Sequence, residues 1–459
     1  MKNRTIHDWR PNDPAFWESA GKRTAQRNLA LSIFAEFIGF SVWLLWSVIA
    51  VNLPAAGFDY STDQLFWLVS LPALVGATLR LPYGAAVPVF GGRNFTVFSA
   101  AVLLVPTIGL ALLVQHPETP FELMLLVAAT AGLGGGNFAA SMANISYFYP
   151  DSQKGLALGL NAAGGNIGVS FVQLVVPAAI GLGVLGLGAS ATTSAHLQLQ
   201  WAGWMWVPFI ITAALCALFF MDNLEVSKAS LREQSIILKR PHTWIISFLY
   251  IGTFGSFIGY SAALPLLIKL QFPTLNPLQF AFLGPLVGSM ARPVGGWLSD
   301  RFEGTTVTFW NFFVMLTATL GVIAALSLDS FGLFLVAFLT LFTTSGIGNG
   351  STFKIVPTVF LRDRLAEAIG QGEAAHAAAE RRGRTEAAAV LAFSSAIGAY
   401  GGFLIPQGLS RSITAIGAPE FALSVFAAFY VACIVVTWWC YVRNAANTEP
   451  MEAAMAISE

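Results

Sequence analysis

Charge is what this chain has least of. Only 10% of its 459 residues are Asp, Glu, Lys or Arg, against about 25% in soluble domains, so it cannot clothe an ordinary water-facing surface. Cysteine is scarce as well. Cys216, Cys433 and Cys440 lie within apolar stretches and show no CxxC or ligand spacing, which argues against disulfides and a metal site and leaves them as small apolar fillers. The five histidines are scattered and form no haem or metal constellation, which removes the redox centre a membrane enzyme would need, so neither an enzyme nor a cofactor is expected. A formal net charge of zero gives no argument for nucleic acid. Alternating barrel-type segments are missing too, so any membrane crossing is helical.

What is present is apolar sequence, 56% of the chain, in stretches of some 20 residues that each suffice to cross a bilayer. Twelve spans are expected, near 29–52, 64–88, 95–115, 122–148, 155–179, 204–221, 242–265, 278–298, 305–327, 331–353, 387–408 and 421–442. Outside them, only Lys269 and Arg411 among the basic residues fall on the side opposite the N-terminus. The basic bias therefore places both termini in the cytoplasm. Residues 1–28 hold six basic residues and no apolar h-region, so a cleaved signal is not expected. Trp9, Phe16 and Trp17 in that segment suit an interfacial lid.

Six spans stand on each side of a polar linker, 223–241, and their landmarks repeat. Arg80 precedes Gly92 by twelve residues and Arg292 precedes Gly304 by twelve, the two pairs lying 212 apart. A glycine cluster opens at Gly132 (GLGGGNF) and another at Gly346 (GIGNGSTF), 214 apart. Even span number makes the repeats parallel, as in carriers whose halves rock about a midplane site. The expected organisation is a cytoplasmic segment 1–28, six-helix bundles at 29–222 and 242–442, the linker, and a cytoplasmic tail 443–459. A second basic stretch, Arg362 to Glu386, reads as a solvated cytoplasmic loop with some helical character.

The two span arginines carry the chemistry. An arginine at a helix centre costs roughly 2.5–3.5 kcal/mol on insertion scales, so it faces a cavity or a partner. Snorkelling is disfavoured, because each lies twelve residues, about 18 Å of helix, from its glycine turn. Only Glu36 offers a carboxylate inside a span, and one carboxylate cannot neutralise two guanidinium groups. A bound anion can, and the planar fork of arginine suits a planar oxyanion. The glycine clusters are not nucleotide loops, since no strand precedes them. Gly132 and Gly136, and Gly346 and Gly350, are spaced four apart, which permits close helix packing or helix sliding. Polar amides such as Asn137 mark interhelical glue or a substrate path. Glu36 is open to two readings, a proton relay or a partnered structural acid. Lys354, beyond the second cluster, is expected to snorkel.

Arg80 and Arg292 in their spans, GLGGGNFAASMANISYFYP, GIGNGSTF, DWRPNDPAFW, VNLPAAGFDYSTDQLF, YIGTFGSFIGYSA and GGWLSDRFEGTTVT together resemble the nitrate/nitrite porter family of the major facilitator superfamily, bacterial NarK-type exchangers in particular. The resemblance covers nearly the whole chain. It implies an all-helical twelve-span fold of two parallel six-helix repeats in a bacterial inner membrane, monomeric, surrounded by lipid. It further implies one nitrate or nitrite held by Arg80 and Arg292, sandwiched by Phe138 and Phe254, with Tyr250 and Asn166 nearby. Gly132, Gly134, Gly136, Asn137, Gly346, Gly348 and Gly350 match its nitrate signature. Glu36 departs from the resemblance, standing where the closest exchangers carry an apolar residue. Exchange of nitrate for nitrite is the leading expectation. Proton-coupled nitrate import, for which Glu36 is the one favouring feature, and a sensor that binds without transporting are the alternatives.

Overall fold

The computed structural model describes residues 4–182, 197–225 and 235–443. Twelve long helices run in sequence: α1 Pro14–Asn52, α2 Thr62–Phe90, α3 Gly92–Leu113, α4 Phe121–Phe148, α5 Asp151–Leu182, α6 Trp201–Phe220, α7 Pro241–Gln271, α8 Leu283–Phe302, α9 Gly304–Ser327, α10 Phe331–Glu367, α11 Glu373–Ile416 and α12 Glu420–Val442. Eleven of them are long and apolar enough to cross a membrane. The exception, α8, carries Arg292 and Asp300 amid glycines, which dilutes its hydropathy, yet it packs against α10 and α5 as fully as its neighbours.

Local sequence sets the ends. Ser61 and Gln64 form a reciprocal capping box at the start of α2. The sharp turn into α3 is made by Gly91 with φ 82°, and the turn into α9 by Glu303 with φ 63°, two positions 212 apart. Glycine takes that conformation freely, whereas a residue with a Cβ is strained there.

Within the halves α2 packs on α4 and α8 on α10; between the halves α2 packs on α11 and α5 on α8. Those two cross-half contacts exchange under a two-fold that maps α2 onto α8 and α5 onto α11. Polar ties reinforce the first of them: Ser410 Oγ donates to Asp63 (2.7 Å), Gln407 Nε2 to Ser70 Oγ (2.8 Å), and Thr78 and Tyr400 hydroxyls meet at 3.1 Å; a further cross-half tie joins α5 to α7, where Gln173 Nε2 donates to the Ser261 carbonyl (2.7 Å). The ties along α2 run from its end away from the termini to its middle.

Three expectations change. The basic stretch 362–386 is largely helix, because α10 continues to Glu367 and α11 begins at Glu373. Its alanines have the highest helix propensity, and Arg364 pairs with Glu367 (2.6 Å) and with Glu386. Trp9 and Trp17 are buried rather than lipid-facing: Trp9 meets Phe148 edge-on at 5.4 Å and donates to the Tyr147 carbonyl (3.1 Å), and Trp17 packs on Tyr149. The segment is thus a strap on the end of α4. Its Thr5–Ile6 also pairs in parallel with Asn223–Leu224 of the linker, while Arg27 (2.5 Å) and Asn28 (3.0 Å) hold Asp222. Lys354 is half exposed, and the expectation gains a partner: it pairs with Asp300 of α8 at 2.5 Å.

Candidate functional site

The two span arginines come from equivalent turns of α2 and α8 and are both buried, with 1% of Arg80 and 6% of Arg292 exposed. Among the described residues neither forms an ion pair. Arg80 is held by backbone: Nε donates to the Gly135 carbonyl (3.1 Å) on α4 and Nη1 to the Ser395 carbonyl (2.8 Å) on α11. Arg292 Nη2 reaches the Tyr250 hydroxyl on α7 at 3.5 Å, the long limit of a hydrogen bond. Each guanidinium keeps one buried nitrogen without a partner, Nη2 of Arg80 and Nη1 of Arg292. A buried donor left unpaired costs roughly 1–3 kcal/mol, more when charged, so each of these nitrogens can take an acceptor.

An aromatic column links the arginines. Phe138 of α4 and Phe254 of α7 face each other at 6.2 Å and 27°, and Tyr250 stacks on Phe254 at 5.3 Å and 12°. Arg80 Cζ lies 4.5 Å from the Phe138 centroid and 4.9 Å from that of Phe254. With the ring separation as third side, the median of that triangle puts the guanidinium carbon about 3.5 Å from the midpoint between the rings. A flat group held at that midpoint would meet the guanidinium edge at hydrogen-bonding range. Parting the rings to about 7 Å, twice an optimal ~3.5 Å contact, admits it.

Among the described residues the other candidates make no side-chain hydrogen bond to either arginine. Asn166 is fully buried with both amide atoms unpartnered, and no hydrogen bond joins it to either arginine. Asn137 is buried and equally unpartnered, its amide against Gly39. The signature glycines are points of helix contact. A Cβ would lie 2.6 Å from Val75 at Gly132, 2.2 Å from the Gly39 carbonyl at Gly134, 2.8 Å from Tyr83 at Gly136, 2.0 Å from the Gly288 carbonyl at Gly346, 2.4 Å from Thr253 at Gly348 and 2.3 Å from the Arg292 carbonyl at Gly350. Glu36 is buried at the α1–α4–α5 junction, where its Oε2 accepts from Ser141 and from Asn161 (2.7 Å).

Three aromatic residues at the site went unnoticed in the sequence. Phe40 and Trp43 of α1 flank Arg80 with ring centroids 6.0 and 5.4 Å from Cζ, and Phe353 of α10 lies 4.9 Å from Arg292 Cζ. The repeat register held a signal for one of them, since Phe40 lies 214 residues before Phe254.

Residues 35–379 match the Major Facilitator Superfamily. The nitrate/nitrite transporter NarU of Salmonella typhimurium is 45% identical, with 96% of each chain covered. The probable nitrate/nitrite antiporter NarK2 of Thermus thermophilus is 38% identical, covering 97% of this chain and 98% of the other. Among solved structures, the xylose transporter XylE from E. coli superimposes with a TM-score of 0.63 at 12% identity, covering 91% of this chain and 98% of that one, which speaks to the fold alone.

Proposed function

Because the chain belongs to the nitrate/nitrite porters of the major facilitator superfamily, and is thus a multi-pass membrane transporter and not an enzyme, we propose that it exchanges nitrate inward for nitrite outward, with Arg80 and Arg292 gripping one anion between Phe138 and Phe254. The observation that carries this reading is the pair of buried guanidinium groups, one per half, each with an unpartnered nitrogen and both tied to one ring column.

Nitrate and nitrite are flat, singly charged and weakly hydrated. Between two rings such an anion gains apolar contact on its faces, and at its edge it accepts charge-assisted hydrogen bonds. A tetrahedral anion is too thick for the slot. Anion binding draws the halves together, since each contributes one arginine, and the empty carrier holds two like charges that resist closure. Exchange follows from that asymmetry: reorientation is easy with an anion bound and hard without one. Exchange of one monoanion for another is electroneutral. The termini lie in the cytoplasm and the chain works as a monomer in the inner membrane.

Proteoliposomes containing the protein and preloaded with nitrite should accumulate labelled nitrate, and liposomes without internal anion should not. Uptake that is indifferent to internal nitrite would reject exchange, and binding without any counterflow would make the protein a sensor.

A further inference from the structure

We propose that Glu36, with Ser32, Ser141 and Asn161, forms a proton-binding site one helical turn from the anion slot, and that proton and anion bind cooperatively. The inference rests on the anion reading above and deepens it.

The first observation is positional. Gly134 of α4 packs on Gly39 and Gly348 of α10 packs on Thr253, so α1 and α7 correspond at a spacing of 214. That register pairs Phe40 with Phe254 and Glu36 with Tyr250. The acid occupies in the first half the place from which Tyr250 reaches Arg292 in the second. Glu36 stands one turn, about 6 Å, before Phe40 on α1, and Ser141 stands three residues past Phe138 on α4. Phe40 and Phe138 are in ring contact at 6.1 Å. The cluster therefore lies on the termini side of the slot and shares two helices with it.

The second observation is the direction of the hydrogen bonds. Ser141 donates its one hydroxyl proton to Glu36 Oε2, so Ser32, 3.0 Å from Ser141 Oγ, must donate to it. Asn161 Nδ2 donates to both Ser141 Oγ and Oε2. Both donors to the carboxylate, Ser141 and Asn161, thus meet it at Oε2. Oε1 is buried with no partner, as is the Oδ1 acceptor of Asn161, and Oε1 rests on the bare backbone of Gly165, where a Cβ would come within 2.5 Å. A carboxylate saturated on one oxygen and bare on the other is a site for one proton on Oε1. That proton comes from bulk water and returns to it, and no bond other than the carboxyl O–H forms or breaks.

The charged groups acting on Glu36 are Arg80 of α2 and Arg292 of α8. From the other elements packed on α1, α4 presents Ser141 and α5 presents Asn161, while Arg93 of α3 is bound to the Leu218 carbonyl of α6 and Asp222 to Arg27 and Asn28. With Glu36 ionised, the carboxylate competes with the anion for the positive field of the two arginines; with Glu36 protonated, the anion has that field to itself. Linkage is reciprocal, so nitrate binding must draw a proton onto Glu36 to the same extent that the proton tightens nitrate.

The test is nitrate affinity of the purified full-length protein across pH. Wild type should bind nitrate roughly fivefold or more tightly on the acid side of the Glu36 titration than on the alkaline side, and nitrate added to weakly buffered protein should take up protons, seen with a pH-indicator dye. Glu36→Gln should hold the acid-side affinity at all pH values and take up none. Asn161→Ala should move the titration without removing it. A pH-independent wild-type affinity with no proton uptake overturns the proposal, as does a Glu36→Gln variant with the parent's pH profile. Protein that fails to bind nitrate at any pH would instead refute the anion reading.

Discussion

The two halves hold their arginines in different ways. In the first half Arg80 is fixed by two main-chain carbonyls and enclosed by Phe40, Trp43, Phe138 and Phe254. In the second, Arg292 has one long hydrogen bond to a side-chain hydroxyl and one flanking ring, Phe353. The same fold position is thus a rigid fixture on one side and an adjustable one on the other. On the proposed reading, a carrier that must grip an anion and release it gains from that division: the fixed guanidinium would define where the anion sits, and the looser one would complete the grip when the halves close. Preorganised donors hold a charge without reorganising, whereas a donor that moves can be withdrawn.

The sharpest way to break this comparison is to replace each arginine by lysine, which keeps the charge and loses the fork. Truncating one member of a buried charge pair costs about 2–5 kcal/mol, so nitrate exchange in proteoliposomes should fall by on the order of 100-fold or more for Arg80→Lys. Arg292→Lys should fall less steeply. Near-normal exchange by a well-expressed Arg80→Lys protein would end the planar-recognition argument, and an equal loss at both positions would end the distinction between them.

Tyr250→Phe tests the adjustable side. It removes the hydrogen bond that Arg292 makes to a side-chain hydroxyl while keeping the ring stacked on Phe254. A hydrogen bond to a charged group is worth about 1.5–3 kcal/mol. The apparent KM for nitrate should therefore rise about tenfold, with inserted protein and thermal stability nearly unchanged.

The glycines differ between halves as well. At Gly346 an added Cβ would strike the Gly288 carbonyl at 2.0 Å, whereas at Gly132 its nearest neighbour is the Val75 side chain at 2.6 Å. Backbone yields less readily than a side chain, and overpacking costs about 1–3 kcal/mol. Gly346→Ala should lower the melting temperature of the solubilised protein more than Gly132→Ala does. The surviving protein should exchange nitrate more slowly in both variants if sliding matters, and at the parent's rate if these glycines serve packing alone.

The smallest expected effect concerns the paired turns. Glu303 holds a positive φ that Gly91 supplies freely in the first half. Glu303→Gly relieves strain worth about 1–3 kcal/mol at such positions, offset by the added freedom of glycine in the unfolded chain. A slight rise in melting temperature is expected, and a clear fall would show that the Glu303 side chain is needed there.

Much of this could be read from residue spacing. The 212-residue spacing of Arg80 and Arg292 proved to be the spacing of two equivalent helices, and Gly91 and Glu303 repeat it in their turns. Most of the spans were legible because crossing a bilayer demands long apolar runs, which eleven of the long helices carry. Trp43 and Phe353 were not, since an aromatic residue in a span has the same composition whether it faces lipid or a guanidinium, and Phe40 showed only in the repeat register. The burial of Trp9 and Trp17 depends on Phe148 and Tyr149, too distant in the chain for any local pattern to announce. The extensions of α10 and α11 escaped hydropathy because alanine, glutamate and arginine make helix without making membrane.

The pairing of Thr5–Ile6 with Asn223–Leu224 has a consequence for how the protein is made. A ribosome adding roughly 5–20 residues per second delivers the linker strand on the order of ten seconds or more after the opening strand. Until then this strand pair cannot form, and Asn223, whose side chain caps α3 by accepting from the Arg93 amide at 2.9 Å, is not yet there to do so. Pairing of the opening strand therefore marks completion of the first six helices, before the second six have been translated. Newborn chains arrested between α4 and the linker should leave the Thr5–Ile6 backbone open to protease while Trp9 already packs on α4, and chains arrested beyond the linker should protect both.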